Sequence, residues 1–117
     1  MQLDGVWATE ILGYLGWERT GISFLDDGNI RGGSADVFHH GNYVIDGQNV
    51  EMTLYLTSHG KRKQAYGEKR DKFTIRMKGK RDGEQIEGEA RLVGASSQDV
   101  TYKLRLVRLN DLSTPSD

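Results

Sequence analysis

Lys72-Phe-Thr-Ile-Arg-Met-Lys-Gly-Lys-Arg-Asp82-Gly83-Glu-Gln-Ile-Glu-Gly-Glu-Ala-Arg-Leu92 is the stretch that decides the fold. Phe73, Ile75, Met77 and Gly79 share one side of an extended chain, and Thr74, Arg76 and Lys78 share the other. Past Asp82-Gly83 the alternation resumes, with Ile86, Gly88, Ala90 and Leu92 against Glu87, Glu89 and Arg91. Two half-dry strands joined by Asp-Gly predict a β-hairpin, because that dipeptide tolerates the positive φ of a tight turn.

The same signature runs along the chain. Strands are expected at Gly5–Leu12, Trp17–Leu25, Asn29–Ser34, Phe38–Ile45, Asn49–Ser58, Lys72–Gly79, Glu84–Leu92 and Val100–Leu109. Asp26-Asp27-Gly28, Asp46-Gly47 and Asp82-Gly83 supply the sharpest turns. Connections this short make sequence neighbours antiparallel spatial neighbours. The expected fold is therefore all-β, a small antiparallel meander of about eight strands. Closing it into a barrel removes its exposed edges. The single proline, Pro115, lies in the tail and leaves the ladders uninterrupted. Residues 1–110 read as one domain and 111–117 as a flexible tail.

A chain of 117 residues can bury a core of its own. Sixteen basic residues against 17 acidic ones give a net charge of -1, so no global field draws in nucleic acid or an anionic membrane. The absence of cysteine excludes disulfides and thiolate chemistry. No apolar run reaches membrane length, and the start Met1-Gln-Leu-Asp-Gly5 has neither a basic nor an apolar leader region, so a cytoplasmic location is expected.

Gly5-Val6-Trp7 on the first strand would turn its tryptophan inward at one end of the barrel, where Arg108 could lie over the ring. This arrangement resembles the lipocalin or calycin superfamily, whose first strand carries Gly-x-Trp and whose last region carries an arginine against it. Without the resemblance, Trp7 is a core residue. A longer similarity covers Asp4-Gly5-Val6-Trp7, Gly21-Ile22, Asp27-Gly28-Asn29-Ile30-Arg31-Gly32-Gly33 and Phe38 to Tyr43. It resembles the GrlR family of small negative regulators of type III secretion. The resemblance implies a calycin-like barrel that dimerises, sequesters a transcriptional activator by protein contact, and has room for an apolar ligand. The founding regulator carries four consecutive acidic residues before its fifth strand. Here that partner loop reads Ile45-Asp46-Gly47-Gln48, with Asp46 its sole acid, so the activator contact does not carry over.

Other motifs read as structural. His39 and His40 are adjacent on a strand and point to opposite faces, which opposes a shared metal, and none is expected. The basic stretch Lys61, Arg62, Lys63, Lys69, Arg70 and Lys72 is interleaved with Glu68 and Asp71, as in a solvated loop, and nucleic acid is not expected to bind it. Gly32-Gly33 reads as a bend or bulge. Glu10 shares a side with Val6, Ala8 and Leu12 and is expected outside. No nucleophile elbow, phosphate-cradling loop or inward acid–base pair is present, so no enzyme, catalytic residue or cofactor is expected.

Two surfaces remain. With Trp7 inward, Val6, Ala8, Leu12, Val107 and Leu109 form an outward apolar seam where the first and last strands meet, and a homodimer through it is expected. Scattered surface aliphatics are the plainer alternative. Inside, as the alternative to regulation by protein contact, Trp7, Met52, Leu54, Leu56, Ile75, Met77, Tyr102 and Leu104 would line a cavity for an apolar or lipid-like small molecule, although an eight-strand barrel can also be filled by its own side chains. The small inward residues Gly79, Gly88 and Ala90 leave room for it.

Overall fold

Period-two patterning and glycine turns produce eight strands and no helix among the residues that the structure, a computed structural model, describes: 3–59, 72–93 and 101–110. The strands are β1 (Gly5–Gly13), β2 (Gly16–Asp26), β3 (Asn29–Gly33), β4 (Val37–Asp46), β5 (Asn49–Ser58), β6 (Lys72–Asp82), β7 (Gln85–Val93) and β8 (Thr101–Asn110). Each pairs antiparallel with its neighbour in sequence, and β8 returns to β1. The result is a closed eight-strand meander barrel of lipocalin-like architecture, with no sheet edge left unpaired. The basic residues from Lys61 to Arg70 and the tail at 111–117 lie outside the described residues.

The three turns at Asp26-Asp27-Gly28, Asp46-Gly47 and Asp82-Gly83 are of the primed kind that suits twisted hairpins. Asp27 and Gly28 carry φ of 52° and 84° between β2 and β3. In the other two named turns the centre lies one residue later than the Asp-Gly reading places it. Positive φ falls on Gly47 and Gly83, at 62° each, with Gln48 and Glu84 as the second turn residues. Asp46 and Asp82 stay in their strands, paired with Asn49 and Gln85. A turn that needs positive φ only at its first central residue puts the glycine there and returns the aspartate to the ladder.

The barrel is packed at one end. Around Trp7 sit Leu3, Leu25, Ile30, Val50, Met52, Met77, Ile86 and Leu106, all sealed from solvent. The segment before β1 folds beneath them. The Leu3 carbonyl accepts the Trp7 Nε1–H at 2.9 Å, and Asp4 Oδ1 accepts the Asp27 N–H at 2.9 Å and the Tyr43 hydroxyl at 3.4 Å. The Asp27 N–H is the main reason the Asp4 carboxyl is held below its ordinary value. Arg108, paired in register with Trp7, donates from Nη2 to the Asp4 carbonyl and from Nη1 to Glu84 at 3.2 Å. Its guanidinium carbon stands 5.2 Å from the centroid of the Trp7 ring. First strand, last strand and leading segment are thereby tied together at the closed end.

Candidate binding site in the open half of the barrel

Above the packed half the inward residues become smaller or more polar, and a cavity of about 530 Å³ opens. That volume falls within the range of small-molecule sites. Ile11, Leu54, Leu56, Ile75, Ala90 and Leu104 supply its apolar wall, Tyr102 adds a ring, and Thr9, Thr20 and His39 add polar groups. Glu18, Arg19 and Ser34 to Val37 stand around the same space, at the ends of strands remote from Trp7.

Five of the eight residues expected to line a cavity, Leu54, Leu56, Ile75, Tyr102 and Leu104, border this one. Trp7, Met52 and Met77 belong instead to the packed half and do not border it. Ala90 is on the wall, whereas Gly79 and Gly88 are directly paired where β6 and β7 come close. A Cβ on Gly88 would lie 2.4 Å from the Gly79 Cα, so these glycines serve close strand approach and add no room to the cavity.

The polar centre of the interior is built by register. Ser23, Gly32 and His39 are successive partners across β2, β3 and β4. Gly32 presents no side chain between the other two, and the Ser23 hydroxyl meets His39 Nε2 at 2.8 Å. A Cβ on Gly32 would fall 1.9 Å from the Ile22 carbonyl oxygen, so this strand crossing accepts only glycine. Ser23 is 0% exposed and His39 9%. Burial, followed by the proximity of His40, pulls the His39 imidazole down from 6.5 to about 4, so the ring is neutral near pH 7. His40 lies on the opposite face, 5.5 Å from the Tyr55 ring. Among the described residues no three histidine, cysteine or carboxylate side chains gather as metal ligands would.

Outside the barrel, Glu10 is on the face that alternation assigns it, yet it is buried there. Arg105 on β8 donates to Oε1 from Nε and Nη2, at 2.9 and 2.6 Å, and Arg19 on β2 donates twice to Oε2 at 3.3 Å. The Arg105 bonds are the main cause that holds the Glu10 carboxyl below its usual value. Arg105 also stacks on Trp17, with its guanidinium carbon 4.2 Å from the ring centroid. Of the seam residues, Leu12 and Leu109 are exposed and Val6 and Val107 half-buried. Ala8 is 0% exposed, in register between Ile22 and Val107, and offers no surface to a partner. Phe24, in register with Val6 and 46% exposed, adds an aromatic ring that the two-strand seam reading missed. Asp46, the last residue of β4, and Gln48 in the β4–β5 turn are exposed at the closed end, where the Gln48 carbonyl accepts the Arg81 N–H at 2.7 Å.

A larger concavity, about 790 Å³, lies on the outer face of β6 and β7. Its walls are Arg76, Lys78, Lys80, Glu87, Glu89 and Arg91, a mixed-charge surface with little to hold an apolar ligand. No protein-family model matches this sequence, and no curated protein matches it. Among the described residues no helix is long and apolar enough to cross a membrane.

Proposed function

We propose that this is a binding protein that takes a small, largely apolar molecule into the open half of its barrel. The observation that carries the reading is the division of the interior: one half is filled by its own side chains, and the other keeps about 530 Å³ between a continuous aliphatic wall and polar groups that include Thr9, Thr20 and His39. An eight-strand barrel can fill itself completely, so an interior filled on one side only is the feature to be explained. Binding here needs burial and shape complementarity, with no chemical step. Ala90→Phe tests it by projecting a ring into the cavity from β7. Purified parent protein should enhance the fluorescence of an apolar naphthalene dye, and the variant, still folded by circular dichroism, should not. Unchanged dye uptake by the folded variant would remove the ligand from this space.

A second reading, a cytoplasmic GrlR-like regulator that acts as a homodimer on a transcriptional activator, draws support from the exterior. Leu12, Phe24 and Leu109 are exposed around the β1–β8 junction, with Val6 and Val107 half-buried between them. A Val6→Glu, Val107→Glu double variant should then sediment as a monomer where the parent sediments as a dimer. Equal sedimentation of the two would count against this surface.

A further inference from the structure

We propose that His39 is the polar anchor of the barrel cavity, donating a hydrogen bond from Nδ1–H to a neutral carbonyl oxygen of the bound molecule. This rests on the reading of the cavity as a ligand site and names the chemistry that the ligand must carry.

The assignment follows from counting protons. Ser23 has one hydroxyl hydrogen, is sealed from solvent, and makes its one hydrogen bond among the described residues to His39 Nε2. If Nε2 carried the ring proton and donated it to Ser23, the serine hydrogen would be left in the core without an acceptor. A buried donor without a partner costs more than a serine lone pair left unfilled. The hydroxyl therefore donates to Nε2, and the proton of the neutral ring resides on Nδ1. Nδ1 has no protein partner among the described residues, and it is not among the polar atoms sealed without one. His39 itself borders the cavity, so the donor is open to what enters.

A donor in that position selects an acceptor, and the charge balance selects a neutral one. The neutral imidazole adds no positive charge. Arg19, the cation bordering the cavity, is about half exposed and directs its Nε and Nη2 to Glu10 on the outer face. A carboxylate brought beside His39 would be desolvated without a full counter-charge. An ester, ketone or amide carbonyl at the end of a hydrocarbon body meets both the donor and the aliphatic wall.

The experiment has a ligand-free arm and a binding arm. In the free protein at pH 7.5, long-range proton–nitrogen NMR should show the His39 ring, identified by its loss in His39→Gln, as the Nδ1–H tautomer; the Nε2–H tautomer would overturn the assignment. In the binding arm, dye displacement compares methyl laurate, tridecane and lauric acid. Methyl laurate should bind about tenfold more tightly than tridecane, the effect of one added hydrogen bond, and more tightly than lauric acid. His39→Phe should reduce methyl laurate to the affinity of tridecane, and His39→Gln, which retains an N–H donor, should restore part of the difference. If ester and alkane bind alike, the anchor falls while the cavity reading stands. If lauric acid binds best, the neutral carbonyl is wrong. If neither dye nor any of the three binds, the cavity reading itself falls and takes the anchor with it.

Discussion

Acidification should loosen this protein through His39 before its carboxylates are reached. In the unfolded chain a histidine takes up its proton near 6.5, whereas in the barrel the same ring resists until about 4. Because the folded value lies below the unfolded one, the contribution is fully present above pH 6.5. It is lost as the pH falls toward 4 and changes no further once both states are protonated. A difference of this size corresponds to ~3 kcal/mol, a large share of the stability of an ordinary domain. Protonation of Nε2 also removes the acceptor of the Ser23 hydroxyl, which acts in the same direction. Urea unfolding at half-unit steps from pH 7.5 to 4 should show the midpoint falling by roughly 2 M, for a slope of about 1.5 kcal/mol per molar. Glu10 and Asp4, whose carboxyls are held low, lose their contributions at more acid pH, so the comparison with His39→Gln isolates the imidazole. The parent-minus-variant difference should decline across pH 6.5 to 4. Parallel curves for the two proteins would refute the reasoning.

Two other perturbations probe the same architecture from different sides. Glu10→Ala strips both arginines of a covered carboxylate and should cost ~2 kcal/mol in urea unfolding at pH 7; the cost should shrink in acid as the parent's own Glu10 protonates, and a deficit independent of pH would argue against the ion pairs. Gly32→Ala drives a methyl group toward the Ile22 carbonyl, should destabilise by ~1–3 kcal/mol and should part Ser23 from His39, so the His39 ring should lose its single Nδ1–H tautomer by NMR. An unchanged tautomer would show that Gly32 is not what brings the pair together.

Alternation made the strands legible, and the close turns made their antiparallel order legible. Phe73, Ile75 and Met77 sort inward and Arg76 and Lys78 outward with no tertiary information, because a strand's period is two. That rule separates inside from outside but does not separate one end of a barrel from the other. Met52 and Leu54 are two residues apart on the same face of β5, and only Leu54 reaches the cavity. Which end fills depends on Leu3, Trp7 and Arg108 converging from opposite ends of the chain, a consequence of closure. Glu10 shows the same limit from outside. Its side of β1 follows from spacing, but its cover comes from Arg105, 95 positions away, through the β1–β8 pairing. Gly32-Gly33 reads in the sequence as a bend or bulge, yet β3 keeps regular register with both neighbours there. The use of Gly32, to let Ser23 and His39 meet across an intervening strand, emerges only from the register of three strands.

Leu3 and Asn110 both lie at the closed end, whereas the β1–β2 and β3–β4 connections lie at the opposite one. Anything attached at either of these two residues, whether a solid support, a fluorophore or a second domain, therefore departs from the base of the barrel. Attachment there is kept away from Glu18, Arg19 and Ser34 to Val37, which border the cavity at the other end. The barrel can thus be handled as a cup fastened by its foot.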